Sequence, residues 1–280
     1  MNHTVVGRLK IQKIRNDSFL VNKNRGVRVW LPSSYKANSK KLYNVIYMFD
    51  GQNLFDEATS FSGEWKVDET IYECEENEHI RPSIVVGIDN SPDRLSEYLP
   101  RLSKYAIGTL GYKGQITFDY LINEVIPYVE ENFNVGKTRA YRSLGGSSLG
   151  GMMTLYGGME YTKMFSKLYC FSNSFTFYKY GEWEVPPARY GTGDNSVYKD
   201  ILAFYTQPGI INKFKMAFSS GGGDSYEGEC LKTTRKMVKA MLKAGWNESN
   251  LYFYEDENLE HNEYQWSLAF QQAYRFMNEK

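Results

Sequence analysis

Cysteine is scarce in this sequence: the 280 residues include only three, Cys74, Cys170 and Cys230, and they lie far apart. An odd number of cysteines excludes a fully paired disulfide framework. The lack of a CxxC pair or a Cys/His cluster removes the usual pattern of a structural metal site. We therefore expect neither a disulfide scaffold nor a bound metal.

Long hydrophobic runs are missing as well. No window approaches the roughly 18 consecutive apolar residues that a membrane span needs. Residues 1–8 also lack the basic region and the long apolar run of a signal peptide. We therefore expect a cytoplasmic protein with no membrane partner.

The sequence also has no surplus of positive or negative charge. The 33 Lys and Arg residues balance 33 Asp and Glu residues, so the composition gives no reason to expect a nucleic acid or an anionic membrane as partner. Tyrosine is instead abundant, with 23 residues. A tyrosine-rich surface suits sugar or aromatic ligands, whereas half-buried tyrosines simply keep the ring inside and the hydroxyl in water. Composition leaves both interpretations open.

Strand-like runs alternate with helical patterns along the chain. Residues 43–49 and 83–88 are almost wholly apolar, as buried parallel strands are. Residues 117–134 repeat apolar side chains every three or four positions, which indicates a helix with one buried stripe. The other predicted strands are 27–31, 140–144, 166–171, 215–219 and 251–254, and the other predicted helices are 65–75, 149–161, 226–244 and 263–278. This alternation predicts an α/β fold with a mostly parallel central sheet and helices on both faces.

No internal repeat or linker divides the sequence, so we expect one domain over residues 1–280. The least regular segment is 174–195, which contains Pro186-Pro187 and several aromatic residues. It lies between a predicted strand and a predicted helix. There it forms either a lid or specificity segment over a site, or a surface loop without such a role.

The most informative motif is Gly146-x-Ser148-x-Gly150, with a predicted strand before it and a predicted helix after it. This is the pattern of a nucleophile elbow, in which a serine occupies a sharp strand-to-helix turn. The glycines are needed because the turn brings neighbouring backbone very close. Gly and Ser are common, so the motif gains weight only if a base and an acid follow in the expected chain order.

A serine hydroxyl needs a base within hydrogen-bonding reach, and the chain has only three histidines. His3 lies in the terminal tail, and His79 ends a charged stretch typical of a solvated helix end. His261 follows the last predicted strand and precedes the last predicted helix. We therefore predict His261 as the base.

The acid is expected between the nucleophile and the base in sequence. Asp224 follows the predicted strand 215–219 and a run of three glycines, so it lies on a loop at the same end of the sheet. We predict Asp224 as the acid, with Glu227 as the alternative. The oxyanion hole should take one backbone N–H from Leu149 and one from Gln52, in the loop after an early strand.

Several motifs together resemble the putative esterase family of α/β hydrolases, which includes enterochelin, feruloyl and acetyl-xylan esterases, esterase D and mycolyltransferases. They are Asp50-Gly51-Gln52-Asn53, the Gly-Ser-Ser-Leu-Gly-Gly elbow, and His261-Asn262-Glu263 followed by Trp266. The similarity extends over residues 27–276. It implies the α/β-hydrolase fold, and it implies the roles of nucleophile, base, acid and oxyanion donors at the five residues assigned above.

The resemblance implies a serine carboxylesterase that needs no cofactor. We expect a small-molecule or carbohydrate ester as substrate, with acyl or feruloyl esters of carbohydrates ahead of siderophore esters. Arg94, Trp65 and Phe175 are predicted to contact it, although an internal salt bridge is the alternative role for Arg94. An acyltransferase and a catalytically silent binding module are the other candidate functions. The sequence does not indicate the oligomeric state.

Overall fold

A twisted sheet of eight strands forms the centre of the structure, a computed structural model that describes residues 3–100, 113–175 and 196–279. The strands are β1 Arg8–Arg15, β2 Asn24–Leu31, β3 Asn44–Phe49, β4 Ser83–Ile88, β5 Arg142–Ser147, β6 Lys167–Phe171, β7 Lys215–Gly221 and β8 Leu251–Asp256. Their order across the sheet is β1-β2-β4-β3-β5-β6-β7-β8.

The pairing divides the sheet into a short antiparallel part and a long parallel part. Strands β1 and β2 pair antiparallel, and β2 pairs antiparallel with β4. From β4 through β3, β5, β6 and β7 to β8, every neighbouring pair is parallel. The carboxyl ends of these parallel strands therefore lie along one edge of the sheet, where open α/β sheets place their ligand sites.

Helices cover both faces of the sheet, and each face has its own hydrophobic core. The described helices are α1 Val67–Glu78, α2 Arg94–Glu97, α3 Gly114–Tyr120, α4 Ile126–Asn132, α5 Leu149–Glu160, α6 Ser196–Tyr205, α7 Ser225–Ala244 and α8 Glu263–Asn278. Helices α1 and α8 pack on one face, while α3 to α7 contribute to the larger core on the other. The predicted α/β fold with a mostly parallel sheet is confirmed.

Some local features differ from the sequence-based prediction. Strand β1 was not predicted, because most of its residues are exposed and its apolar alternation, Leu9 and Ile11, breaks before Ile14. The helix predicted over 117–134 begins earlier, at Gly114, and contains a π-helical segment, Leu121–Val125. Residues 176–195, most of the predicted lid segment, lie outside the described residues. Within the described ranges, no helix is both long and apolar enough to cross a membrane.

A buried ion pair joins strand β2 to helix α2. The two terminal nitrogens of the Arg25 guanidinium, Nη1 and Nη2, donate to the Glu97 carboxylate at 2.9 and 2.8 Å. The Ser91 hydroxyl donates to the same carboxylate at 3.0 Å, and the Arg25 guanidinium lies over the Phe19 ring. Both charged side chains are almost fully buried, at 2% and 1% exposure. Each charge therefore depends on its partner for compensation.

Replacing Glu97 with leucine should lower the free energy of unfolding by about 3–5 kcal/mol, because the Arg25 charge then stays buried without a partner. Urea unfolding would measure the loss. The double variant Glu97→Leu/Arg25→Met should recover most of it, since apolar side chains of similar size replace the pair. The exposed pair of Arg15 and Asp17 provides a control, because solvent screens this pair and Asp17→Asn should leave stability almost unchanged. A double variant as unstable as the single one would contradict the explanation.

Candidate active site

Ser148 occupies the sharp turn between β5 and α5. Its backbone lies at φ 57° and ψ −124°, a strained conformation for a non-glycine residue. A Cβ on Gly146 would lie 2.7 Å from the carbonyl carbon of Gly150, so only glycine fits there. The Ser148 backbone N–H donates to the Phe171 carbonyl at 2.9 Å and ties the turn to β6. These contacts are those of a nucleophile elbow.

His261 lies between β8 and α8 and faces Ser148. Its Nε2 atom is 2.9 Å from Ser148 Oγ. The rings of Tyr226 and Trp266 meet the imidazole edge-on, at centroid distances of 4.8 and 5.2 Å. Asn262 then caps α8 by accepting a hydrogen bond from the Gln265 N–H at 3.2 Å. The two aromatic rings therefore hold the imidazole, and the helix cap fixes the backbone next to it.

Glu227, in the first turn of α7, is hydrogen-bonded through Oε2 to His261 Nδ1. Its Oε1 atom accepts four further hydrogen bonds, from the Ser172 and Ser220 hydroxyls, the Gly221 N–H and the Gln265 amide. Burial alone would raise the pKa of this fully buried carboxyl. The hydrogen bonds and the His261 charge outweigh burial and hold the pKa below its ordinary value. Glu227 is therefore an ionised acceptor that orients the imidazole.

The structure corrects the prediction that Asp224 pairs with the imidazole. Asp224 is the N-cap of α7, and its Oδ1 atom accepts from the N–H groups of Tyr226 and Glu227, both at 2.9 Å. Its Oδ2 atom accepts from the backbone N–H of His261 at 2.8 Å and makes no bond to the imidazole. The spacing Asp-x-x-Glu is a helix-start signature, and this signal in the sequence could have separated the capping Asp224 from Glu227.

Gln52 and Leu149 are the residues predicted as oxyanion donors; Gln52 lines the same cavity as Ser148, and Leu149 follows Ser148 directly in the chain. Gln52 belongs to a 3-10 turn, Gly51–Asn53, that follows β3. A Cβ on Gly51 would lie 2.5 Å from the Gly87 carbonyl carbon, so glycine lets the turn pack against β4. Leu149 is the first residue of α5, where backbone N–H groups have no helical acceptor. Within the described ranges, neither the Gln52 N–H nor the Leu149 N–H has an acceptor.

A cavity of about 460 Å³ opens above Ser148 and His261. Its other lining residues are mostly polar or charged: Asp50, Gln52, Asn53, Phe61, Ser62, Asn90, Arg94, Ser147, Glu263 and Trp266. Glu263 accepts a hydrogen bond from the Asn53 amide at 3.0 Å. Burial, with help from the nearby Asp50 charge, raises the pKa of Glu263 to about 7. The cavity therefore offers many hydrogen-bonding groups to a ligand.

Of the three residues predicted to contact the substrate, one lines the cavity and two lie in the hydrophobic cores. Arg94 lines the cavity, but its Nε and Nη2 atoms donate to the Asp50 carboxylate at 2.7 and 2.8 Å, so it forms the internal salt bridge that was the alternative role. Trp65 is buried at 1% exposure and stacks on Phe171 instead of lining the cavity. Phe175 is also 1% exposed and packs against Tyr198 in the larger core. The predictions for Trp65 and Phe175 are corrected, because neither ring borders the cavity.

Glu263 and Ser174 are among the residues of this site to which sequence analysis assigned no role. Glu263 stands in the cavity wall, two residues after the predicted base, and the His-x-Glu spacing was its only sequence signal. Ser174 Oγ lies 2.9 Å from Ser148 Oγ. No pattern in the sequence indicates this contact, because it depends on how the chain after β6 crosses the elbow.

Glu227, Cys230 and His261 bring one potential metal-ligand atom each within 4.8 Å of one another. The imidazole, however, already uses Nδ1 for Glu227 and directs Nε2 at Ser148. A metal ion here would have to break the first of these bonds or replace the second. The arrangement is better suited to moving a proton between Ser148 and His261.

Comparison with known proteins agrees with this geometry. The profile of a family described as "Putative esterase" matches residues 18–277. An uncharacterized protein of Bacillus subtilis (strain 168), YbbA, is 25% identical over 233 residues, which are 81% of this chain and 82% of YbbA.

Solved structures share the fold at lower identity. The BES protein from Bacillus cereus superposes with a TM-score of 0.72 at 18% identity, covering 100% of this chain and 98% of that one. The siderophore hydrolase EstB from Aspergillus nidulans superposes with a TM-score of 0.68 at 17% identity, covering 98% and 97%. With the family profile covering nearly its whole length, the chain belongs to the Putative esterase family and has the α/β-hydrolase fold.

Proposed function

We propose that this protein is a serine carboxylesterase with Ser148 as nucleophile, His261 as general base and Glu227 as the acid that orients it. One observation carries the proposal: an unbroken line of contacts runs from Ser148 Oγ through His261 to the buried Glu227 carboxylate. Nucleophile, acid and base also follow one another along the chain in the order of α/β hydrolases.

In the first half of the reaction, Ser148 Oγ attacks the ester carbonyl carbon while His261 Nε2 takes its proton. The electron pair of the carbonyl moves to oxygen, where the N–H groups of Gln52 and Leu149 donate to the resulting oxyanion. Each such donor contributes about 3–4 kcal/mol to the barrier in related sites. The alcohol then leaves with the proton from His261, and the acyl group stays on Ser148.

In the second half, His261 takes a proton from a water molecule that attacks the acyl-enzyme. The same two N–H groups hold the oxyanion, and Ser148 Oγ leaves with the proton from His261. Glu227 stays ionised throughout and stabilises the imidazolium that forms twice per turnover. The residues that perform these steps belong to the protein itself, and no cofactor is assigned a role in them.

We propose that the substrate is an ester with several hydroxyl groups. Acyl or feruloyl esters of carbohydrates are the first candidates. The polar cavity wall supports this choice, because Asn53, Asn90 and Glu263 line it together with Ser148. The two asparagine amide N–H groups bond to Glu263 and Asp50, and the Asn90 carbonyl and the Glu263 carboxyl keep further lone pairs for a substrate hydroxyl. The fold shared with the siderophore hydrolase EstB makes a siderophore ester the second candidate. An acyltransferase would use the same acyl-enzyme with an alcohol in place of water.

Two measurements test the proposal. A fluorophosphonate probe should add once per chain, and peptide mass analysis should place the adduct on Ser148, because the probe needs an activated serine. A panel of acetyl, feruloyl and siderophore esters should show acid release from at least one member, and transfer products would appear instead for an acyltransferase. A protein that neither reacts with the probe nor releases acid would be a binding module with this fold.

A further inference from the structure

The Ser148 hydroxyl touches a second serine as well as the imidazole. Ser174, just after β6, places its Oγ 2.9 Å from Ser148 Oγ and donates its backbone N–H to the Ser148 carbonyl at 3.2 Å. The side chain of Ser174 is completely buried, and it also interacts with the Tyr226 hydroxyl and the Cys230 thiol. Ser148 is therefore contacted from two directions, by His261 and by Ser174.

The direction of these hydrogen bonds follows from the donors available. Glu227 is ionised and only accepts, so a neutral imidazole must carry its proton on Nδ1. Its Nε2 atom is then an acceptor, and the proton on that bond comes from Ser148. A serine hydroxyl has one proton to give. In the contact between the two serines, Ser174 is therefore the donor and Ser148 Oγ the acceptor. The Tyr226 hydroxyl and the Cys230 thiol keep their own protons, because burial raises the pKa of both, and they donate to Ser174 Oγ.

We propose that Ser174 is a positioning residue for the nucleophile: its hydroxyl donates to Ser148 Oγ, holds it in line with His261, and stabilises negative charge on that oxygen. This inference rests on the proposed function and adds a residue to it. With one bond to Nε2 and one from Ser174, Ser148 Oγ keeps a single lone pair free for the ester carbon.

The donor should help both halves of the reaction. During acylation, the Ser148 proton moves to His261 Nε2 while the Oγ–C bond forms, and the Ser174 proton stays on Ser174. During deacylation, the Oγ–C bond breaks and Ser148 regains a proton from His261. Charge builds up on Ser148 Oγ in each step, and a hydrogen bond to a charged oxygen is stronger than one to a neutral oxygen.

Replacing Ser174 with alanine should lower the acylation rate for p-nitrophenyl acetate about tenfold, as expected for one hydrogen bond to a developing charge. KM should change little, and the acid limb of the pH profile should keep its midpoint, because His261 and Glu227 stay in place. Ser174→Thr keeps the hydroxyl and should recover most of the rate. An unchanged rate in Ser174→Ala, or a shifted acid limb as in a displaced imidazole, would overturn the proposal.

Because Ser174 is buried, the larger threonine could disturb its surroundings, and a second measurement avoids both threonine and ester hydrolysis. In a Ser148→Cys variant, the Ser174 hydroxyl should donate to the introduced thiolate and lower its pKa. Adding Ser174→Ala should then raise the pKa of that thiol by about one unit, measured from the pH dependence of alkylation by iodoacetamide. Equal thiol pKa values in the two backgrounds would refute the role of Ser174, even if Ser148 is the nucleophile. Conversely, full esterase activity in Ser148→Ala would refute the proposed function, whatever the alkylation shows.

Discussion

Replacing Ser148 with alanine is expected to lower kcat for p-nitrophenyl acetate by about 10⁶-fold, the size of effect seen when a serine hydrolase loses its nucleophile. The loss should be this large because the remaining groups, His261 and the two oxyanion N–H groups, are left with only water to activate. Steady-state kinetics with a highly purified variant would measure it, since traces of active enzyme mask so large a difference.

Ser147 offers a matched control for this experiment. It precedes Ser148 in the chain, borders the same cavity and is almost fully buried. Its side chain has no hydrogen bond to His261, so Ser147→Ala should keep activity within about tenfold of the parent, in line with a change that removes no transition-state contact. If both alanine variants lost activity equally, a general disturbance of the elbow would explain the result better than a missing nucleophile.

Replacing Glu227 with glutamine is expected to lower kcat about 10⁴-fold, comparable to the loss caused by an amide at the acid position of other triads. The amide cannot hold the Nδ1 proton in place by its charge, so the imidazole loses both its correct tautomer and the stabilisation of its charged form. The buried Oε1 acceptor with its four donors should keep the side chain in position. Kinetics over a range of pH would measure the effect.

Asp224→Asn is the control that separates the two acidic residues. Asp224 accepts backbone hydrogen bonds at the start of α7 and from His261, so its loss should mainly affect stability, by about 1 kcal/mol as for other helix caps. Activity should fall by much less than in Glu227→Gln. A larger loss of activity in Asp224→Asn than in Glu227→Gln would restore Asp224 as the acid and contradict the geometry.

Both acidic residues follow β7 at the same edge of the sheet, which is why the sequence alone left them as alternatives. Chain order restricts the candidates for the acid to this loop, because α/β hydrolases place the acid after a late strand. Asp224 and Glu227 are three residues apart, and the choice between them depends on which carboxylate bonds to the imidazole and which bonds to the N–H groups at the start of α7. Asp224 is occupied by the N–H groups of α7, and Glu227 in the first turn is free to reach the imidazole.

The residues predicted to contact the substrate also show that sequence can place a segment near the site without deciding which side chains reach it. Arg94 was assigned to a segment near the site, and it does line the cavity. Trp65 and Phe175 are aromatic residues near motifs of the family, but aromatic side chains enter cores as readily as ligand sites. Their burial follows from packing against Phe171 and Tyr198, contacts between segments that are distant in sequence or separated by the undescribed residues 176–195.

By itself, the sequence determined the α/β class, the elbow at Ser148 and the choice of His261. These conclusions depend on local patterns: the period of apolar residues, the glycines that a sharp turn requires, and the scarcity of histidine. Only the tertiary structure decided that Glu227 meets the imidazole, that Ser174 touches Ser148, and that Glu263 faces the cavity. Each of these contacts joins residues from different strands or loops, and their distances follow from how the sheet aligns its strand ends rather than from spacing along the chain.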